Sequence, residues 1–245
     1  LVGSEMCIRD RRFDKGGYIL TYDYDKWSFI DPKEAQKKLN LPRNPRDYTS
    51  IAVTTDDSND EIVYASSMGD GVIQYKNGTP VQSYNEKNAF KETAGGYGSG
   101  YCYIDGLAFD KNGNLWMTSS EVNHAVLVLD KAGAWHRLDI EQLRGVYTIN
   151  DILITSTNDK WIYVPRNTPK LVMIPNSESL DEVSSYEFTT LIDTDGKELT
   201  PSNYTCVAED KDGYIWVGTN RGAVYFTKPR ISSAEDKAAT RCTRA

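Results

Sequence analysis

Acid–base chemistry near neutral pH falls most often to histidine, and this 245-residue chain has two, His124 and His136. A catalytic centre needs a base, a group that orients it and an activated atom. His124 sits in the turn of SSEVNHAV and His136 beside Trp135, so both are expected at a surface or a sheet edge. No H-E-x-x-H or G-x-S-x-G occurs. The runs Asp110-Lys-Asn-Gly113 and Asp210-Lys-Asp-Gly213 invite a calcium reading, but an EF-hand loop wants glycine at position six and a bidentate Glu at twelve. Here glycine stands fourth and a strand pattern follows at once, which reads as a hairpin turn: glycine takes positive φ and the Asp side chain caps the turn backbone.

What remains is the chemistry of recognition. Arg166 in VPRNTPK, with Lys170 close by, and Arg221 in TNRG would form a local basic cluster for an anionic ligand if those turns share one rim, and are solvated turn charges otherwise. Tyr97 and Tyr101 lie in the glycine-rich NEKNAFKETAGGYGSGYCY, which reads as a connector or as a binding loop on a rigid scaffold; it lacks the spacing of a phosphate loop. No catalytic residue, cofactor or metal site is expected, and the chain is read as no enzyme.

Composition narrows the partners. A formal net charge of −7 argues against a nucleic-acid groove, which wants a basic stripe, and no apolar run approaches the ~20 residues of a membrane span. Setting aside Cys7, the cysteines are Cys102, Cys206 and Cys242 without a C-x-x-C pair, so neither a zinc site nor a disulfide framework is indicated. Against 6 Phe stand 16 Tyr and 5 Trp, a tilt towards strand-favouring aromatics.

Four stretches must position these groups: 48–75, 103–130, 149–174 and 204–226. Each reads as an alternating strand, a turn rich in Asp, Asn or Gly, a second strand with an aromatic near its start, another turn and a third strand. Taking Tyr64, Trp116, Trp161 and Trp216 as the shared aromatic gives separations of one β-propeller blade. A fourth strand follows in KAGAWHRLDI, and YILTYDYDKWSFID shows a third-strand, turn, Trp-strand order, so Trp135 and Trp27 fall on outer fourth strands. A four-stranded blade cannot bury both faces alone, and all six aromatics are expected as packing between blades. The fold class is all-β, an incomplete β-propeller of about four four-stranded antiparallel blades plus part of a fifth. DPKEAQKKLNLPRNPRDY is expected to hold a short helix capped by Asp31, with Pro32 first and Pro42 ending it.

The ends fit less well. Leu1 to Asp10 resembles the in-frame translation of a transposon adapter used for sequencing libraries, with Arg11 at the junction, so residues 1–11 are set aside, 12–230 read as blades, and 231–245 as a truncated tail or the start of a next segment.

VAEDKDGYIWVGTNRGAVYF resembles the two-component regulator propeller repeat, D-x-x-G-x-[IL]-W-[IV]-G-T-x-x-G-[IV]-x-x-[FY], and AFDKNGNLWMTS and NDKWIYVPR are weaker copies. The sialidase Asp box, S-x-D-x-G-x-T-W, is out of register by one residue at Asp210, which leaves a sialidase- or lyase-like propeller hydrolase as the most distant reading. Such repeats occur in the extracytoplasmic sensors of Bacteroidota hybrid histidine kinases and in the surface β-propeller protein of the type IX secretion system. The irregular blades, with SSMGDGVIQYKNGTPVQSYNEKN and LIDTDGKELTPSNYTCVAEDKDGYIW, are similar to the latter. That resemblance implies a noncatalytic scaffold on the outer face of the outer membrane. Its implied partners are a sortase and anionic lipopolysaccharide. The sensor resemblance implies instead a periplasmic propeller that binds a released oligosaccharide.

Overall fold

The computed structural model describes residues 17–23, 25–91, 100–181, 183–193, 195–227 and 242–244; residues 1–11 and Tyr97 therefore lie outside the described residues. Among the described residues four four-stranded antiparallel sheets follow one another along the chain. The first is β3 (Tyr48–Thr55), β4 (Glu61–Gly69), β5 (Gly71–Lys76) and β6 (Thr79–Tyr84), and the second β7 (Cys102–Phe109), β8 (Leu115–Ser119), β9 (Val126–Leu129) and β10 (Trp135–Leu138). A short β4–β7 pairing, Met68 with Tyr103 and Gly69 with Cys102, joins these two. The third is β11 (Ile152–Ile154), β12 (Lys160–Val164), β13 (Lys170–Ile174) and β14 (Tyr186–Phe188). The fourth is β17 (Tyr204–Glu209), β18 (Ile215–Thr219), β19 (Gly222–Phe226) and β20 (Cys242–Arg244). Ahead of them stands the hairpin β1 (Ile19–Asp23) and β2 (Lys26–Ile30), the partial fifth blade. The fold is an incomplete β-propeller.

Further elements fill the connections. Helix α1 (Pro32–Leu39) starts as its sequence requires, Asp31 accepting from the Lys33 amide, but stops at Asn40 in the left-handed region rather than at Pro42. A small hairpin, β15 (Leu191–Ile192) and β16 (Glu198–Leu199), stands between the third and fourth blades. The tail, which shows no recognisable element in sequence, supplies β20 as the partner of β19.

Strand alternation sends each blade's two faces to different neighbours. In the second blade Leu115, Met117, Leu127 and Leu129 pack on the first, with Ala52 and Val72. Trp116, Val126 and Val128 pack on the third, with Ile152, Ile162, Val164, Val172 and Ile174. Trp161, Leu171, Met173 and Phe188 then pack on Ile215, Val217, Val224 and Phe226 of the fourth.

The aromatic expectations divide here. Trp116 and Trp161 are buried between blades. Trp135 sits edge-on to Tyr84 of the first blade and to Phe90 of the connection after it, at 5.5 and 5.4 Å. Tyr64 also packs between blades, against Tyr84 and Phe109, but not at the tryptophan position. Trp116 pairs with Ala108 two residues before the turn, and the matching pair in the first blade is Ile62 with Thr54, so Tyr64 stands two residues further along. Trp216 is only half-buried and Trp27 is 62% exposed, against the expectation of packing. Their faces point away from the blades on which their own sheets sit, and no described sheet covers them.

The turns between first and second strands explain the repeat signature. Asp110 accepts the amides of Asn112 and Asn114 with Oδ1, and the Asn114 amide group and the Trp116 indole N–H with Oδ2. Asp210 repeats this with the amides of Asp212 and Tyr214 and the Trp216 indole at 2.6 Å. The carboxylate therefore closes the turn and fixes the tryptophan six residues on. These hydrogen bonds, the Trp216 indole foremost, hold the Asp210 carboxyl below the usual range. Asp130 uses the same turn to reach His136 Nε2 at 2.9 Å. In the third blade Thr155 replaces the Asp, and the buried Trp161 Nε1 has no hydrogen-bond partner.

Candidate functional site

A cavity of about 730 Å³ opens at the rim where the second blade meets the third. One wall is the 3-10 turn Glu141–Leu143 and the chain after it. That segment is fixed by backbone bonds to the second blade's outer turn: Gly145 N–H donates to Val122 O, and Glu121 N–H to Val146 O. The other wall is the β12–β13 hairpin with Arg166, Asn167 (φ +69°) and Thr168.

Three cations line the cavity: Arg144, Arg166 and Lys170. Lys170 is held at the foot of the hairpin by the Gln142 carbonyl at 3.1 Å and by Glu187 at 3.5 Å. Arg144 forks onto the Asp139 carboxylate. Arg166 is exposed, and among the described residues it forms no ion pair. Its guanidinium thus keeps its five donors and planar fork for a solute anion. Tyr147 adds a half-exposed ring to the same lining, and Gln142, Asn167 and Thr168 add polar side chains. The arrangement can hold a polar ligand with at least one acidic group.

Of the residues singled out in sequence, Arg166 and Lys170 come together here. Arg221 does not line the cavity. It lies in the β18–β19 turn of the fourth blade, which is the counterpart of the β12–β13 turn carrying Arg166, one blade further round the same rim. Tyr101 stands elsewhere: it packs on Tyr103 at 5.8 Å, and its ring fills the space a side chain at Gly69 would need. Arg144 and Tyr147 escaped sequence reading because a blade connection with no strand period carries them.

The other polar clusters serve the blade stack. Lys160, 2% exposed, lies with Nζ 4.4 Å from the Trp116 ring centroid, and burial pushes its pKa down. Lys111 N–H donates to Asn158 Oδ1 of the next blade, and Ser156 donates to Glu209 of the one after. Inner strands are tied by Thr49 to Ile104 O, Thr118 to Asn150 O and Tyr163 to Thr205 O. Cys102 is buried, and that burial pushes its thiol up to about 12, which makes it inert. His136, on Asp130, lies outside the cavity.

Residues 198–221 match the family model for the two component regulator propeller. No curated protein matches the chain. Among solved structures, PorZ of Porphyromonas gingivalis, described as an essential bacterial surface component of the type-IX secretion system, is similar at 19% identity with a TM-score of 0.81; the match covers 93% of this chain and 31% of that one. The extracellular domain of a protein of B. thetaiotaomicron described as a hybrid two component system is similar at 16% identity and a TM-score of 0.50, covering 79% of this chain and 22% of that one. At these identities the likeness is one of fold, and the chain spans less than a third of either structure. The chain is a run of β-propeller blades with the PorZ arrangement, and its fourth blade carries a two component regulator propeller repeat.

Proposed function

We propose that this chain is part of a noncatalytic binding and scaffolding propeller of the bacterial type IX protein secretion and cell-surface attachment machinery. It works outside the cytoplasm, at the outer-membrane surface of a member of the Bacteroidota. Its partners are a sortase-like protein of the attachment complex and an anionic lipopolysaccharide, whose acidic groups enter the cavity between the second and third blades. The observation that carries this reading is Arg166, a cation without an ion pair among the described residues, beside Lys170 and Arg144 on an otherwise acidic chain. The likeness to PorZ across 93% of the chain supports the setting.

A second reading has its own observation. The two component regulator repeat at 198–221 and the likeness to an extracellular domain of a hybrid two component system fit a sensor that binds a released oligosaccharide. The ligands differ in charge, and salt separates them. Binding of anionic lipopolysaccharide, followed by immobilising the chain and titrating the ligand, is expected to weaken several-fold as salt rises and screens the exposed contacts, and a sortase is expected to be retained alongside. Salt-insensitive binding of a neutral oligosaccharide, without sortase association, contradicts the secretion reading and favours the sensor.

A further inference from the structure

The cavity between the second and third blades holds acids as well as cations, and the acids are matched to two of the three cations. Lys170 opens β13, and Glu187 lies on β14 opposite Val172. Strand alternation puts Lys170 and Glu187 on the same face as Val172, the face turned to the second blade. Their side chains are 14% and 29% exposed, and Lys170 Nζ stands 3.5 Å from the Glu187 carboxylate. The same ammonium donates to the Gln142 carbonyl, and the Gln142 side chain accepts from the Ser185 hydroxyl at 2.9 Å. Lys170 is therefore fixed, and its charge is neutralised before any ligand arrives. Arg144 forks onto Asp139 and also feels the charge of Glu141.

Arg166 differs from both. It is exposed near the tip of its hairpin and forms no ion pair among the described residues. The lining thus offers one uncommitted guanidinium beside two carboxylates, Glu141 and Glu187. One anionic group can take that planar fork in two parallel hydrogen bonds. A second negative charge on the same group has to compete with Glu187 for Lys170, across a partly buried pair that salt screens weakly. The two carboxylates only accept hydrogen bonds, so the ligand groups that suit them are donors such as sugar hydroxyls.

Resting on the reading of this cavity as an anion site, we propose that Glu187 sets the charge it accepts. The ligand is a hydroxylated glycan unit with one monoanionic group, a carboxylate or a phosphodiester. A terminal phosphomonoester, which carries close to two charges above about pH 7, gains nothing from its second charge while Glu187 occupies Lys170.

The test titrates small probes onto the full 245-residue chain at about pH 8 and one low ionic strength, followed by ligand-observed NMR. The probes are glucose, glucuronic acid, glucose 6-phosphate and the methyl phosphodiester of glucose 6-phosphate. The parent is expected to bind at least one monoanion about tenfold more tightly than glucose, the scale of one charge-assisted contact, and which one identifies the anionic group. Glucose 6-phosphate is expected to bind within about twofold of that monoanion, as for a charge without a committed partner. Glu187→Gln keeps the side chain's size and releases the charge of Lys170. It is expected to raise the preference for glucose 6-phosphate over the monoanion about tenfold, a gain that loss of fold cannot produce, and adding Lys170→Gln is expected to abolish that gain. A preference unchanged by Glu187→Gln overturns the charge rule and leaves the cavity an anion site. A parent that already binds glucose 6-phosphate about tenfold more tightly than either monoanion does the same. Anion binding that Arg166→Ala leaves unchanged, or no anion binding by the parent, overturns the cavity reading together with the proposal.

Discussion

Replacing Trp116 by Ala is expected to cost about 3–5 kcal/mol of folding stability, the range for emptying an aromatic site in a core. The indole is 1% exposed and lies at the contact of the second and third blades, so no solvent-facing shift can refill the space. Two further losses add to the cavity. Asp110 Oδ2 loses the indole N–H that it accepts at 3.0 Å, and the ammonium of Lys160 loses the ring that lies 4.4 Å away. A cation–π contact to a desolvated ammonium is worth up to about 2 kcal/mol. Chemical denaturation of parent and variant measures the difference; a change below about 1 kcal/mol, the scale of an ordinary surface substitution, would remove Trp116 from the account of what holds the blades together.

The second large effect belongs to the turn that aims this ring. Asp110→Ala removes a carboxylate that accepts two turn amides, the Asn114 amide group and the Trp116 indole. The indole N–H is left buried and unsatisfied, a condition that costs ~1–3 kcal/mol, and hydrogen bonds to charged groups stand at the upper end. A loss of about 3 kcal/mol is expected. The matching Asp210→Ala is expected to cost markedly less, because Asp210 accepts no side-chain amide beside the indole and because Trp216 is half-exposed, so water can replace the carboxylate. Equal losses at the two positions would show that the clamp acts through the local turn alone and that its link to blade packing is wrong.

The turn chemistry was the most legible part of the chain. An Asp or Thr, a short polar run and a glycine or asparagine at positive φ before an apolar strand admit few backbone solutions, and the four blades follow from that pattern and its period. The alignment by aromatics erred at Tyr64 because ring size was taken as the marker. The physical marker is the distance from the clamping Asp, and counting six residues from Asp56 finds Ile62, which is buried at the tryptophan position. Counting in the same way from Asp193 finds Leu199 in the β15–β16 hairpin, whose turn Asp193 closes through the amides of Asp195 and Lys197. The helix was legible from Asp31 and Pro32, but its end depended on Asn40 adopting a left-handed φ of 50°, which few side chains do.

The candidate site was legible only in its hairpin half. Arg166 and Lys170 stand in a recognisable turn, whereas Arg144 and Tyr147 depend on how a connection folds back on Val122. That contact is tertiary, and no strand or helix period announces it. Arg221 shows the converse error. Its turn has the right local chemistry and lies on the same rim, but the fourth blade carries it away from the cavity. Exposure went wrong at Trp27 and Trp216 for one reason. A ring is buried by the neighbouring blade, and among the described residues no blade lies against these two faces.

Arg166 and Arg221 are both exposed turn arginines of adjacent blades, one in the cavity and one outside it, so they provide the most direct comparison. The measurement is equilibrium titration of anionic lipopolysaccharide onto the parent chain, Arg166→Ala and Arg221→Ala at one low salt concentration. Loss of a charge-assisted contact at Arg166, about 1.5–3 kcal/mol, corresponds to at least tenfold weaker binding, while Arg221→Ala is expected to stay within about twofold, as for a rim charge. Equal weakening by both substitutions, or none by either, would contradict a ligand site in the cavity between the second and third blades.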